Sequence, residues 1–201
     1  MPSGACLIRY EGARGVVWRL KYRDAGGRQV KETLGREADG QAIIDEVADA
    51  HAEVAGAHPE YADLTAVFSQ GGPYDGILYV YPEGLSTDFL TDLGFRYLPG
   101  LEDYAPEVGS QAEISAENVD LIEADVVVFA TEGEEQFDQL QGWATISLLP
   151  AVGDNRAVYT DETLAGAIYF DTPLCRAYVL ERLAPMLELA VQGEAPREYP
   201  S

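Results

Sequence analysis

The residues most often used for covalent or metal chemistry are scarce in this chain. Cys6 and Cys175 are its two cysteines, with no CxxC pair and no histidine nearby, so neither a zinc site nor a thiol catalyst has its ligand set. Whether the two pair with each other is left open by sequence. The two histidines, His51 and His58, fall in one Ala-rich helical stretch and read as helix-surface residues. The acidic groups Glu132/Glu134/Glu135 and Glu102/Asp103 have no histidine or metal-ligand partner, and no GxSxG, P-loop, GxGxxG or HExxH pattern occurs. Glu132 to Glu135 reads as a solvated loop with acids near a helix start, where the dipole favours them. The expectation is a protein that does not catalyse and has no resident metal or cofactor. The chain does hold 12 Tyr and 2 Trp, several of them in loops after strands.

Those residues must be carried by a core. A chain of 201 residues with 47% hydrophobic content suffices for one domain plus a small appendage. No stretch approaches the length of a membrane span. The first thirty residues carry Arg9, Arg14, Arg19, Lys21, Arg23 and Arg28 and no uninterrupted apolar h-region, so the chain as written is expected to stay in the cytoplasm.

Charge divides the sequence. Residues 1–36 hold eight basic and three acidic residues, a balance of +5, which leaves five basic and 32 acidic, or −27, for the remainder. A switch at one point suggests two units of different origin. In the basic unit, Ala5 to Tyr10, Gly15 to Tyr22 and Arg28 to Leu34 read as short strands. The middle one alternates Val17, Arg19, Lys21 with Val16, Trp18, Leu20, Tyr22, and Asp24-Ala25-Gly26-Gly27 supplies a hairpin turn. A three-stranded antiparallel unit packed little on the rest of the chain is expected. The wording IRYEGARGVVWRLKYRDAGGRQVKETLG resembles the small three-stranded arm-site DNA-binding module that opens phage-type tyrosine recombinases. That resemblance would set Arg19, Lys21 and Arg23 on or near DNA. A following body of charge −27 repels phosphates, which makes nucleic acid a poor partner for the whole chain.

In the acidic body, Asp39 to Ala57 spaces Ile43, Ile44, Val47, Ala50 and Val54 for an amphipathic helix ended by Pro59. Leu64 to Phe68 and Ile77 to Tyr81 read as strands around the turn SQGGPYDG. Leu85 to Leu93 reads as a helix closed by Gly94. Then come a helix capped by Ser115, the apolar strand Asp125 to Ala130, a helix from Glu134 to Leu140, the strand Ala157 to Tyr159, and a long helix from Pro173 to Leu189. Because the DVVVFA run is apolar on both faces, it belongs in the middle of a sheet covered by helices on both sides.

Five phrases in this order, AIIDEVADAHAEVAGAHPEYADLTAVF, FLTDLGF, ISAENVDLIEADVVVFA, WATISLLPAVGDNRAVYTDETLAGA and TPLCRAYVLERLAPML, resemble the C-terminal lobe of iron-siderophore and cobalamin substrate-binding proteins of ABC transporters. The resemblance implies an α/β fold: a three-layer α/β/α lobe of a periplasmic-binding-protein-like fold, here preceded by the small three-stranded antiparallel β unit. It divides the chain into a basic sheet (1–36), a helix like the interlobe connector (37–58), a substrate-binding lobe (59–192) and a disordered tail (193–201). The N-terminal lobe of such proteins has no counterpart in the basic segment.

The same resemblance implies a ferric siderophore or related chelate as ligand, an ABC-transporter permease as partner and an extracytoplasmic setting. By position in the family pattern, Tyr104 and the cluster Tyr169-Phe170-Asp171 are cleft-facing, with Tyr81 and Arg96 as further ligand-binding candidates. Arg96 is one of only five basic residues in the body and could meet an anionic ligand. Family members dock through glutamates, and Glu83, in a loop opening a helix, is the residue expected to meet the permease. The functional expectation is siderophore binding for import by a truncated or rearranged binding protein. The alternatives are a DNA-binding accessory protein acting through the basic sheet, and a non-functional fusion fragment.

Overall fold

The computed structural model describes residues 6–12, 15–23, 29–33 and 37–200. The basic segment forms an antiparallel sheet, β1 (Cys6–Gly12), β2 (Gly15–Arg23) and β3 (Gln29–Thr33), in the order β1-β2-β3. Pairing Arg19 with Thr33 and Lys21 with Lys31 sets Arg19 and Lys21 on one face of β2. The hairpin turn at Asp24 to Gly27 and the side chains of Trp18 and Arg23 lie outside the described residues. β2 runs beside the long helix α1 (Glu37–Ala57).

The body then alternates as its periodicity requires: β4 (Thr65–Gln70), β5 (Ile77–Tyr81), α2 (Asp88–Thr91), β6 (Arg96–Tyr97), β7 (Ala112–Ser115), β8 (Val126–Ala130), α3 (Glu134–Gly142), α4 (Pro150–Gly153), β9 (Ala157–Tyr159), α5 (Glu162–Phe170) and α6 (Pro173–Gln192). One sheet takes the order β7-β5-β4-β8-β9, with β6 on the same strand β4 that carries β5. β4, β8 and β9 are parallel, whereas β5 runs against β4 and β7 against β5. The apolar run of β8 is interior as expected, paired on both sides and buried at every residue.

Helices cover both faces. On one, Phe68 of β4 meets Phe89 and Tyr169 from α2 and α5, with α6 packed behind α5. On the other, Phe129 and Tyr159, facing each other across β8 and β9, take the edge of Phe137 from α3. This is the expected three-layer lobe. Two clamps tie β4 to β8. At their starts, the Asp125 carboxylate accepts from the Thr65 N–H and hydroxyl, both at 2.7 Å, while the Thr65 Oγ1 accepts from the Asp125 N–H at 3.0 Å. At their ends, Gly71 lies so close to β8 that a Cβ there would sit 2.1 Å from the Ala130 carbonyl oxygen.

Several local expectations are corrected. The helix read over Leu85 to Leu93 shrinks to α2, because Gly84 and Ser86 take positive φ (82° and 54°) and make the stretch after Pro82 a turn. Gly94 does close it, at φ 102°. The Ser115 segment is a kinked 3-10 turn in which the serine side chain caps nothing. His51 is no surface residue: it is buried, with its Nδ1 2.8 Å from the Val47 carbonyl, and His58 stacks on Tyr61. The tail expected to be disordered is held as far as Pro200. The Ala195 N–H donates to the Asn155 carbonyl at 3.0 Å, Arg197 bonds the Asn155 side chain and the Gly153 carbonyl, and Tyr199 approaches Phe137. Between this tail and β9 lies a cavity of about 280 Å³. Cys175 is a free, half-buried thiol.

Candidate functional site

In an open sheet with parallel strands, ligands settle beyond the carboxyl ends of the strands, where the chain turns from building one side of the sheet to building the other. Here that point lies between β4 and β8, since β5 and β7 extend one side and β9 the other. Phe68, near the carboxyl end of β4, lies opposite Tyr81 of β5, ring centroids 4.6 Å apart. Tyr169, from the last turn of α5, comes within 5.9 Å of Tyr81 and 6.1 Å of Phe68. Phe68 is fully buried, while the two tyrosines are half-buried, so they form an aromatic shelf on a solid floor.

Their hydroxyls are kept neutral. Burial pushes Tyr169 far up, helped by the neighbouring Tyr81 and by the Glu132 carboxylate. Burial also raises Tyr81, with the hydroxyl of Tyr169 and the side chain of Gln111 opposing as hydrogen-bond partners and Glu132 adding to the rise. Two neutral phenols therefore present donors and acceptors beside an apolar surface. Glu132 is exposed, just beyond Thr131 at the carboxyl end of β8. Thr131 is fixed by reciprocal bonds with Thr160 after β9: each hydroxyl donates to the other's carbonyl.

The shelf is anchored from below by a group the sequence reading overlooked. β5 and β6 meet β4 along one edge, and the hydroxyl of Tyr97 fills the gap between them. It accepts from the Phe68 N–H at 2.9 Å and donates to the Tyr81 carbonyl at 2.5 Å. Burial pushes this phenol far up as well.

The α5–α6 junction positions Tyr169. Asp161 caps α5 by accepting from the Leu164 N–H at 2.7 Å, and Thr172 caps α6 by accepting from Cys175. Between the helices Asp171 holds a left-handed conformation, φ 42°. Its carboxylate lies 3.5 Å from Arg176, which also pairs with Asp92. Burial raises the Asp171 carboxyl, opposed by Arg176 and reinforced by Asp88 and Asp92. Phe170 is 68% exposed, an apolar ring standing in water at the end of α5.

Of the residues singled out by sequence, the structure thus brings Tyr81 and Tyr169 into one group, with Phe170 and Asp171 on its flank. Tyr104, 43% exposed, stands in a 3-10 turn beside β7 and joins no ring contact among the described residues. Arg96 sits at the other end of the sheet. It pairs with the start of β4 and donates to the Asp63 carbonyl at 2.8 Å, near Asp125. Glu83 is exposed in the turn before α2. Arg19 is exposed and Lys21 half-buried on β2. Sequence reads Glu132 as a solvated-loop acid and gives no sign of Gln111 or Tyr97. Only tertiary placement distinguishes Glu132 from 31 other body acids.

The lobe has a periplasmic-binding-protein-like fold. The chain is similar to a periplasmic solute binding protein from Mycobacterium smegmatis, with 29% identity, a TM-score of 0.68, and a match covering 78% of this chain and 52% of that one. It is also similar to the iron uptake ABC transporter substrate-binding protein PiaA from Streptococcus pneumoniae (21%, TM-score 0.60, 80% and 56% covered). A third is FhuD2 from Staphylococcus aureus with bound ferrioxamine B (16%, TM-score 0.59, 80% and 61% covered). The chain therefore spans little more than half the length of these solved proteins. No protein-family model and no curated protein matches it. Among the described residues no helix is long and apolar enough to cross a membrane.

Proposed function

We propose that residues 37–192 form a siderophore-binding lobe serving ABC-transporter import. The observation that carries this is the shelf of Tyr81 and Tyr169 at the β4/β8 switch point. A ferric chelate is a large, oxygen-rich complex with apolar faces. It suits an aromatic platform with neutral hydroxyls at its edge, where ring contact supplies area and phenols supply orientation. Phe170 and Tyr104 are assigned the rim of the same site, and Glu83 the contact with the permease. This lobe supplies one wall of the site, so on its own it leaves one ligand face in water. Affinity then falls several kcal/mol short of a two-walled site, about tenfold for each 1.4 kcal/mol.

The test is titration of the full chain with ferric hydroxamate and catecholate complexes, read by intrinsic Tyr/Trp fluorescence. Phe170→Ala, Tyr104→Ala and Tyr81→Phe accompany the parent. Weak, saturable quenching that Phe170→Ala loosens several-fold is expected. Tight binding indifferent to all three substitutions would move the site elsewhere. Duplex DNA binding without chelate binding would transfer the function to Arg19, Lys21 and Arg23 on the small sheet.

A further inference from the structure

The body contains no lysine, and its five basic residues are Arg96, Arg156, Arg176, Arg182 and Arg197. Four of them are committed elsewhere. Arg96 and Arg156 stand at the amino ends of the strands, close enough to Asp125 to hold its carboxyl down. Arg182 faces Asp161 at 4.0 Å, at the opposite end of α5 from Tyr169. Arg197 ties down the tail. Arg176 alone is near the shelf, and it lies among three carboxylates, Asp88, Asp92 and Asp171, which outnumber it. On the other flank is Glu132, whose side chain meets no cation among the described residues and whose charge is felt by both shelf tyrosines.

A binding surface with neutral hydroxyls in the middle and net negative charge on both flanks discriminates by ligand charge. Bringing a polyanion onto it sets like charges together in a half-buried place, where screening is incomplete. A neutral or cationic complex meets no such penalty, and a pendant ammonium gains from Glu132. Ferric complexes differ in this respect by their donor groups. Three hydroxamates neutralise Fe(III) completely, and one free ammonium then leaves a single positive charge. Three catecholates leave three negative charges. We infer that this site selects neutral or cationic ferric chelates of the hydroxamate type against polyanionic catecholate complexes, with Glu132 as the specificity-determining residue. This rests on the siderophore-binding reading above.

The experiment is calorimetric titration of the full chain at low and high salt with ferrioxamine B, its N-acetylated neutral form and ferric enterobactin. Glu132→Gln is compared with Glu53→Gln, an exposed acid on α1. The expected order is cation, then neutral complex, then trianion, with at least about a tenfold gap between first and last that narrows as salt is raised. Glu132→Gln should weaken the cation about three- to tenfold, the effect of one unit charge at a distance on the order of 8 Å in a partly aqueous setting, and tighten the trianion. Glu53→Gln should leave the order and the gap unchanged. Tighter binding of the trianion overturns the inference and leaves the siderophore reading standing. Equal effects of the two substitutions overturn the role of Glu132 by showing a response to overall charge. Absence of binding by all three complexes overturns the siderophore reading, and the inference with it.

Discussion

Removing one oxygen atom tests how the aromatic shelf is held. In Tyr97→Phe the ring, buried against the sheet, stays as it is, while the hydroxyl bridging Phe68 and Tyr81 is lost. Two main-chain groups are stranded: the N–H of Phe68, a fully buried residue, and the carbonyl of Tyr81. A buried backbone group left without its partner costs about 1–3 kcal/mol. The Tyr81 carbonyl lies nearer the surface and recovers part of its loss by meeting water. The expected destabilisation is about 2–4 kcal/mol, or roughly 5–15 °C in melting temperature for a chain of this size. Urea unfolding followed by circular dichroism measures it, and an unchanged slope with a lowered midpoint would locate the effect in the folded state. Tyr104→Phe, which alters an exposed phenol, is the companion and should change nothing beyond about 0.5 kcal/mol. A loss below about 0.5 kcal/mol for Tyr97→Phe would refute the view that this hydroxyl completes the sheet between β5 and β6.

Two further substitutions address the clamps between β4 and β8. Gly71→Ala drives a methyl group into the backbone of Ala130 and Thr131, which must part to admit it. A loss of about 3 kcal/mol or more is expected in thermal melts, and a loss under about 1 kcal/mol would show that the strand ends are not in close contact. Asp125 is held below its ordinary carboxyl value, first by the Thr65 N–H, then by the Thr65 hydroxyl and the charges of Arg156 and Arg96, with burial opposing. Because its folded value is the lower one, its contribution is present above about pH 4 and is lost as pH falls through the folded value. Asp125→Asn should therefore cost about 1 kcal/mol at neutral pH and flatten the acid limb of a stability–pH profile. A parallel limb in the two proteins would contradict the assignment.

The long-range frame of the lobe is legible in the sequence because its strongest signals are local. Val126–Ala130 is apolar on both faces, and no position but the sheet interior accommodates that. Pro173 opens α6 as a helix-start residue should, although the helix runs on past Leu189 to Gln192. Elements made by their neighbours were not legible. β6 is two residues long and exists because β5 leaves the first half of β4 unpaired. In α5 a central Gly166 and the aromatic pair Tyr169-Phe170 mask the helical spacing. At the candidate site, the family pattern names Tyr169 and Tyr81, and the scarcity of basic residues names Arg96. Which end of the sheet each occupies is decided by topology, which sets the two tyrosines together and Arg96 opposite. Glu132 is one of 32 body acids, and its type carries no sign of its place.

The double fastening of β4 to β8 has a consequence for the thermodynamics of recognition. Thr65 and Asp125 bind the two strands at one end, and the backbone contact at Gly71 fixes them at the other. The floor beneath Tyr81 and Tyr169 is thus a stiff plank whose ordering entropy was lost when the chain folded. A partner landing on it has only side chains and loop tips left to immobilise. The lobe is preorganised, and differences in affinity between ligands should reflect contact and charge, with little contribution from rearrangement of the sheet.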